Sequence, residues 1–342
     1  MSQRKAKHKL VLVLVLFAMI LLCGCGMAPF YSPIMEESEI DEEENLIVVG
    51  ISQLGSESVW RSANTLSIQN AISKENGYFP IFNNARQKQE NQIKAIRGFI
   101  SQRVDYIVFA PLVEDGWDTI LQEAKDAGIP VILMDRTISA KDESLYVTRV
   151  GTDARKEGEN AGYGLEAELE KTHRDDEEIN IVVLQGTLGS SVQRGRTAGF
   201  DSVVREHENW RILEQVDADF TTSKGKEIME QMLKKYQDID VVVSQNDDMT
   251  FGAIEAINEA GLTTGIGGDI IIISTDAVYD ALQMVKDGII NVDVECNPEQ
   301  GEAVLEVIRK LERGETVEKE YIVEEKVFTI DNVEQYLDTR TY

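Results

Sequence analysis

The sequence contains little cysteine, histidine and proline, and these shortages exclude several classes of protein. Its 342 residues include three Cys, three His and six Pro. Cys23 and Cys25 both lie within the first 25 residues, so no disulfide framework is available. His8 lies in the N-terminal segment, and His173 and His207 lie in or beside charged segments. No nucleophile is paired with a histidine base, so the sequence predicts a protein that is not an enzyme.

Basic residues are also few, with 34 Lys and Arg against 61 Asp and Glu, which gives a formal net charge of -27. Such a chain repels nucleic acid and anionic head groups, so no nucleic-acid partner is expected. Gly186-Thr187-Leu188-Gly189 does not match a dinucleotide-binding motif, and no Walker sequence follows a strand. Asp247 and Asp248 have no third ligand at a spacing usable for a metal. We therefore expect no cofactor and no metal.

The longest apolar run, Leu10 to Leu22, is short for a membrane span and has the length of a signal-peptide core. Four basic residues precede it, and Leu22-Cys23-Gly24-Cys25 follows it and resembles a bacterial lipobox. These features predict a lipoprotein signal peptide over residues 1–24 and lipid modification of Cys25. An uncleaved anchor helix is the alternative. The acid-rich residues 25–45 predict an extended tether.

From Leu46 onward, predicted strands and helices alternate, and the pattern restarts near Val147–Asp153. Alternation of this kind predicts an α/β fold with parallel sheets and right-handed crossovers. We therefore expect two similar Rossmann-like lobes with a cleft between their strand ends. The prediction includes a helix over Thr197–Glu206, and the final predicted extended segment is Tyr321–Thr329.

Val131–Met134 is an apolar run without alternation, typical of a strand buried on both faces. Asp135 and Arg136 follow it at the carboxyl end, where ligands bind in open α/β sheets. The alternative is a helix-capping Asp beside a surface Arg. Other candidates end strands, lie in the loops beyond them or open the first helix: Ser52, Trp60, Arg61, Arg194, Phe220, Asn246, Asp276 and Glu295. Carboxylates, amides, guanidinium groups and aromatic faces together suit a small polyhydroxylated ligand.

Several longer motifs carry a resemblance to a known family. They are Ser52–Arg61, Gln87–Ala95, Asp135-Arg136, Leu184–Thr187, Asp219–Thr221, Ser223–Lys226 and Gln245–Met249. Over about residues 46–335 the chain resembles the ribose-type (type I) periplasmic sugar-binding proteins of bacterial ABC transporters. Within that family it is most similar to the galactofuranose binders.

The resemblance implies two lobes joined by three crossings, near Thr152-Asp153, Glu295–Pro298 and Val327–Thr329. One lobe would comprise residues 46–152 plus 297–328, and the other residues 153–296 plus 329–342. The resemblance also implies ligand contacts at Ser52, Asp135, Arg136, Arg194, Phe220, Asn246 and Asp276, with Trp60 and Arg61 as the subgroup signature. Two positions depart from the pattern. Glu295 stands near where ribose binders have a glutamine, and the basic residue of the galactofuranose binders matches Arg196 rather than Arg194.

These observations predict a monomeric extracytoplasmic lipoprotein, held on the outer face of the cell membrane by its lipid anchor. It would capture a monosaccharide, galactofuranose or a similar furanose, and deliver it to the permease of an ABC importer. One alternative is a receptor that presents its closed form to a membrane sensor kinase or chemoreceptor. An enzyme acting on a sugar is a further alternative. The related repressors need a basic DNA-binding headpiece, and here a signal and an acidic linker occupy its place.

Overall fold

The computed structural model describes residues 46–342, so the predicted signal peptide, Cys25 and the tether lie outside the described residues. Strands and helices alternate along the described chain, as the sequence predicts. The strands form two six-stranded sheets, one for each lobe. Within residues 46–342, no helix has the length and apolar character needed to cross a membrane.

The first sheet has the strand order β11-β5-β4-β3-β1-β2, and its neighbouring strands are parallel. Its strands are β1 (Ile47–Gln53), β2 (Tyr78–Asn84), β3 (Tyr106–Phe109), β4 (Val131–Met134), β5 (Thr148–Gly151) and β11 (Glu320–Ile322). The helices of this part of the chain are α1 (Val59–Ala71), α2 (Gln89–Gln102), α3 (Asp118–Asp126) and α9 (Gly301–Glu312).

The second sheet has the order β12-β10-β9-β8-β6-β7, and β12 runs antiparallel to β10. Its strands are β6 (Ile179–Gln185), β7 (Trp210–Asp217), β8 (Val241–Ser244), β9 (Ile271–Asp276), β10 (Val292–Glu295) and β12 (Val327–Thr329). The accompanying helices are α4 (Ala154–Thr172), α5 (Ser191–Val204), α6 (Thr222–Lys235), α7 (Asp247–Glu259), α8 (Tyr279–Lys286) and α10 (Glu334–Leu337).

Strand β4 is buried along its whole length, as its uninterrupted apolar sequence predicts. Ile132 and Met134 pack into one apolar core, and Val131 and Leu133 pack into the core on the other face of the sheet. Full burial of each such side chain contributes about 1.5–3 kcal/mol to folding. This anchored strand delivers the residue that follows it, Asp135, to the carboxyl edge of the sheet.

The chain passes between the two sheets three times, after β5, after β10 and between β11 and β12. The third passage comprises residues 323–326 and lies a few residues before the predicted Val327–Thr329. The reason is pairing: Val327–Thr329 forms β12, which is hydrogen-bonded to β10 in the second sheet. The segment Tyr321–Thr329, predicted as one extended stretch, is therefore two short strands in different sheets.

Candidate functional site

A pocket lies between the two lobes, at the carboxyl ends of their strands. The space between its side chains, including the open mouth, is about 290 Å³. Most of its polar side chains are buried. The lining residues are Glu57, Ser58, Trp60, Arg61, Asp135, Arg136, Val192, Arg196, Phe220, Asn246, Asp276 and Cys296.

Asp135 occupies a strained position directly after β4. Its φ of 65° lies in the left-handed region that residues other than glycine rarely adopt. The backbone is held there because the Asp135 amide donates to the Val150 carbonyl at 2.7 Å and Arg149 Nη1 donates to the Asp135 carbonyl at 2.7 Å. Phe220 and Asp276 also have positive φ, 56° and 122°. Such strain is concentrated at functional sites, and here it occurs at three residues that line the pocket.

Arg61 lies between two carboxylates. Its Nη2 donates to Asp135 Oδ2 at 2.6 Å, and its Nε donates to Glu57 Oε1 at 3.1 Å. Ser58 caps α1 and accepts from the Arg61 amide, which fixes the first turn of the helix. Burial alone would lower the pKa of Arg61, but Asp135 and Glu57 outweigh it and raise the pKa. Arg61 therefore holds the Asp135 carboxylate in place.

Arg136 has a buried donor that is not used within the part of the chain that the structure describes. Its Nη1 donates to the Leu112 carbonyl at 2.8 Å, whereas its Nε is buried and has no hydrogen-bond partner there. Its guanidinium carbon lies 5.5 Å from the centroid of the Phe220 ring, a cation–π arrangement. Burial and the nearby Arg61 lower the pKa of Arg136 to about 10. A buried unpaired donor in a pocket is matched by an oxygen acceptor of a ligand.

Helix α5 separates Arg196 from Arg194. The helix begins at Ser191, capped by Ser190, rather than at the predicted Thr197. Two residues apart on a helix are about 200° apart around its axis, so the two arginines face opposite sides. Arg196 lines the pocket. Arg194 is 56% exposed and forms an ion pair with Glu114 of the first lobe at 2.6 Å. The structure thus puts Arg196, not Arg194, with the other candidate residues.

Close packing of α4 against α5 brings Arg196 to its partners. A Cβ at Gly158 would lie 2.1 Å from the Arg196 carbonyl oxygen, so only glycine permits this approach. Glu157 Oε2 then accepts from Arg196 Nε at 2.5 Å. Arg196 also donates to the Gln245 carbonyl and, at 3.4 Å, to Asp276 Oδ1. These contacts fix the guanidinium of Arg196 in a single orientation.

The two aromatic residues of the pocket come from different lobes. Trp60, at the start of α1, packs into the apolar core of the second lobe and donates from Nε1 to the Cys296 carbonyl at 2.5 Å. Phe220 fits against Gly186, where a Cβ would lie 1.8 Å from the ring. Asn246 caps α7 and donates from Nδ2 to the Phe220 carbonyl at 3.3 Å. Each lobe thereby contributes one aromatic ring to the pocket.

Two further candidates do not line the pocket. Ser52 is buried within β1, and its Oγ has no hydrogen-bond partner among residues 46–342. Glu295 accepts from Arg340 at 2.7 Å and from the Tyr342 hydroxyl at 3.1 Å, so it anchors the C-terminal segment. The sequence reasoning missed Glu57, Ser58, Val192 and Cys296 as lining residues. The Ser58 cap and the Glu57–Arg61 spacing of four residues were the available signals for the first two.

Direct contacts also join the lobes outside the pocket. Asp248 Oδ2 accepts from the Val59 amide at 3.1 Å, and Ser191 Oγ accepts from the Thr137 amide at 3.0 Å. The Glu114 amide donates to the Gly189 carbonyl at 3.1 Å. In this arrangement the lobes are closed over the pocket, because each contact bridges elements of different sheets.

Two doubly wound sheets, three passages between them and a buried interlobe pocket define a two-lobed binding protein. The family model of the periplasmic binding protein domain matches residues 49–316, so the chain belongs to the periplasmic binding protein family. This membership confirms the predicted family and the type I fold, and also the prediction of a binding protein rather than an enzyme.

Relatives of known name match most of the chain. Galactofuranose-binding protein YtfQ of Escherichia coli is 40% identical over 298 residues, which cover 86% of this chain and 91% of YtfQ. A Mycobacterium smegmatis crystal structure in complex with β-D-fucofuranose has a TM-score of 0.82 and 41% identity, covering 86% of this chain and 95% of that one. The arabinose-transporter binding protein of Shewanella sp. ANA-3, bound to α- and β-L-arabinofuranose, has a TM-score of 0.80 and 40% identity, with coverage of 86% and 95%.

Proposed function

We propose that this chain binds a monosaccharide in its furanose form and delivers it to an ABC importer. The observation that carries the proposal is the buried Arg136 Nε in the pocket, which has no hydrogen-bond partner among residues 46–342. This donor lies 3.7 Å from Asp135 Oδ2, so adjacent sugar oxygens would meet a donor and an acceptor. The relatives named for galactofuranose, fucofuranose and arabinofuranose support the furanose form.

In this proposal the ligand contacts are Trp60, Arg61, Asp135, Arg136, Arg196, Phe220, Asn246 and Asp276, all of which line the pocket. Asp135 and Asp276 accept from hydroxyl groups, whereas Arg136 and Arg196 donate to ring and hydroxyl oxygens. The Trp60 and Phe220 rings cover the C–H faces of the sugar. Arg194, Ser52 and Glu295 are left out because they lie elsewhere.

The proposal includes location. The protein would act outside the cytoplasm as a monomer, held to the membrane by lipid on Cys25 through the acidic tether of residues 25–45. A sensor kinase or chemoreceptor remains the second candidate partner, since it would contact the same closed form of the lobes. Disruption of a neighbouring permease gene would abolish sugar uptake only if the importer is the partner.

A thermal-shift panel with ring-locked sugars tests the proposed ligand class. Methyl furanosides of galactose, arabinose and fucose are compared with the matching methyl pyranosides, which cannot change ring form. At about 100 times its dissociation constant, a bound sugar adds about 2.7 kcal/mol of stability. We expect furanosides to raise the melting temperature and pyranosides to leave it unchanged. A rise with pyranosides alone would contradict the furanose assignment.

A further inference from the structure

A cluster of the buried Glu157 and Cys296 with the partly buried Glu325 joins the three passages between the lobes. Glu157 lies in the first turn of α4, just after the first passage, whereas Cys296 lies in the second and Glu325 in the third. An oxygen of each carboxyl group and the Cys296 Sγ all lie within 4.8 Å of one another. Thr152, in the first passage, contacts the same sulfur through its Oγ1 at 3.5 Å. The cluster therefore lies at the hinge of the molecule.

The same cluster reaches the binding pocket through Arg196. Glu157 Oε2 accepts from Arg196 Nε at 2.5 Å, and Arg196 and Cys296 both line the pocket. Burial alone would lower the pKa of Arg196, but neighbouring anions led by Glu157 raise it. The orientation of Arg196 thus depends on the position of the Glu157 carboxyl group.

Two carboxylates this close in a buried site do not both ionise, because like charges repel strongly where water is scarce. Glu157 Oε1 is buried and has no hydrogen-bond partner within the described part of the chain. It can therefore accept a hydrogen bond from a protonated Glu325 carboxyl group. Burial first, and then Glu157, raise the pKa of Glu325 to about 11 against the opposing effect of Arg196. The Asn297 amide donates to Glu325 Oε1 at 3.3 Å and holds the carboxyl group in place.

We propose that Glu157 and Glu325 share one proton in the closed form, and that this pair positions Arg196 for the sugar. The proton lies between Glu325 and Glu157 Oε1, which leaves Glu157 Oε2 free to hold Arg196. Glu157 and Glu325 are positioning residues, since neither contacts the ligand in the proposed site. The inference rests on the proposed function only where sugar affinity is the measurement.

A cation is the competing occupant of this cluster. Two carboxylates and a thiol would suit a borderline metal such as Zn²⁺. The Arg196 guanidinium already supplies a positive charge at 2.5 Å from Glu157. A second and divalent cation beside it is disfavoured, whereas one proton leaves Glu157 and Arg196 as a neutral ion pair. The structure therefore favours the proton.

The shared proton gives the affinity a defined pH dependence. When the hinge opens and water reaches Glu325, its pKa falls toward the ordinary value for glutamate, so the closed form binds more protons than the open form. Sugar affinity then decreases as the pH rises toward about 11, by at most about tenfold per pH unit for one proton. Asp276 and the Cys296 thiol, both with raised pKa values from burial, also face Glu157 and Arg196. Variants that retain both Asp276 and Cys296 isolate the contribution of Glu325 to the pH dependence of sugar affinity.

Three variants at one position and its neighbour test the proposal by calorimetry. Glu325→Gln supplies an amide donor that needs no proton uptake on closure, so it should bind at least as tightly as the wild type near neutral pH and flatten the pH profile. Glu325→Ala also cannot ionise but lacks the donor to Glu157, so we expect binding about tenfold weaker than in Glu325→Gln. From about pH 7 to about pH 9, wild-type affinity should fall about fivefold or more. Glu324→Gln, an equal charge change at the exposed neighbouring residue, should follow the wild type.

Other results would overturn the inference. Identical pH profiles for wild type and Glu325→Gln would remove the shared proton, and equal affinities of Glu325→Ala and Glu325→Gln would remove the positioning role. A loss of affinity on treatment with EDTA, restored by ZnCl₂, would mean that a cation occupies the cluster. A wild type that binds no sugar would contradict the proposed function and, with it, the positioning of Arg196 for a sugar. Infrared spectra of the sugar-saturated proteins give a second measurement. The carbonyl band of a protonated carboxylic acid at about pH 9 should be stronger in wild type and Glu324→Gln than in Glu325→Gln, and no difference refutes the pair.

Discussion

Arg61 donates to Asp135 at 2.6 Å, although 74 residues separate them along the chain. Both side chains are at least 97% buried. The adjacent Arg136 is more distant from the same carboxylate, with its Nε at 3.7 Å. The charge of Asp135 is thus balanced mainly by a helix that packs beside its strand, and the neighbour in sequence stays available to a ligand.

Asp135→Asn should weaken sugar binding by about a hundredfold to a thousandfold, because each lost charge-assisted hydrogen bond is worth about 1.5–3 kcal/mol. The variant should also melt at a lower temperature, since removing one member of a buried ion pair leaves Arg61 uncompensated. Calorimetry measures the affinity, and circular dichroism checks that the melt stays cooperative.

A matched control for this variant is Asp176→Asn, the same chemical change at an exposed residue after α4. It should leave both affinity and melting temperature unchanged. If Asp135→Asn bound sugar as tightly as the wild type, Asp135 would act only as a structural partner of Arg61, and the site built around it would have to be abandoned.

Arg196→Lys and Arg194→Lys form a matched pair on one helix. Arg196 makes three buried hydrogen bonds with its guanidinium fork, which a lysine cannot reproduce. We expect its replacement to reduce affinity by about a hundredfold. Arg194 makes an exposed ion pair worth at most about 1 kcal/mol, so Arg194→Lys should change affinity by less than about threefold. The reverse ranking, measured by calorimetry, would restore Arg194 as the ligand contact.

Local sequence predicted the sheets and much of the pocket because both follow from short-range patterns. The apolar run of β4 predicts a buried strand, and its end predicts the position of Asp135. The start of α5 was missed because its first turn, Ser191–Arg194, contains a single apolar residue that gives no helical period. With the helix beginning at Ser191, Arg196 rather than Arg194 lies on its pocket-facing side.

Other features could not be read from the chain at all. The positive φ of Asp135, Phe220 and Asp276 depends on tertiary hydrogen bonds and packing rather than on residue type. The hinge cluster unites Glu157, Cys296 and Glu325, which are distant in sequence and whose spacing matches no motif. Only the third passage between the sheets brings Glu325 to the other two.

Ligand binding should be accompanied by closure of the lobes about their three passages. Interlobe contacts such as Glu114–Arg194 connect segments that a hinge rotation would separate. Small-angle scattering should therefore give a smaller radius of gyration with a bound sugar than without one. Trp60, whose Nε1 donates to the hinge carbonyl of Cys296, should change its fluorescence in parallel. Superimposable scattering curves with a sugar that calorimetry proves to be bound would argue against closure.

Lipidation can be tested independently of the folded part. Cys25→Ala removes the thiol of the lipobox-like Leu22-Cys23-Gly24-Cys25, so the variant should not incorporate labelled fatty acid. It should accumulate as a released, sugar-binding protein or as an unprocessed precursor. Cys23→Ala is the control and should still be labelled. Labelling of the Cys25→Ala variant would exclude Cys25 as the modified residue.

Asp248 gives the last prediction, a pH effect at lower pH than that of Glu325. Its carboxylate lies across the lobe boundary and accepts from the Val59 amide at 3.1 Å. Burial, with a contribution from Glu57, raises its pKa to about 6. A raised pKa means that the closed form binds a proton more readily than a hydrated aspartate. Closure is therefore favoured at low pH, and this contribution is lost as the pH rises from the ordinary value of about 4 through about 6.

Sugar affinity should accordingly increase as the pH falls from about 7 to about 5. Asp248→Asn keeps an acceptor for the Val59 amide but cannot ionise, so it should bind sugar more tightly than the wild type near neutral pH, by up to about a hundredfold for a pKa difference of about two units. The two proteins should converge below about pH 4, where Asp248 is protonated in both lobe arrangements. Calorimetry between these limits, with Asp176→Asn as the charge-matched control, measures the difference. If Asp248→Asn instead weakened binding at neutral pH, the ionised Asp248 carboxylate would be stabilising the closed form through its contact with the first turn of α1.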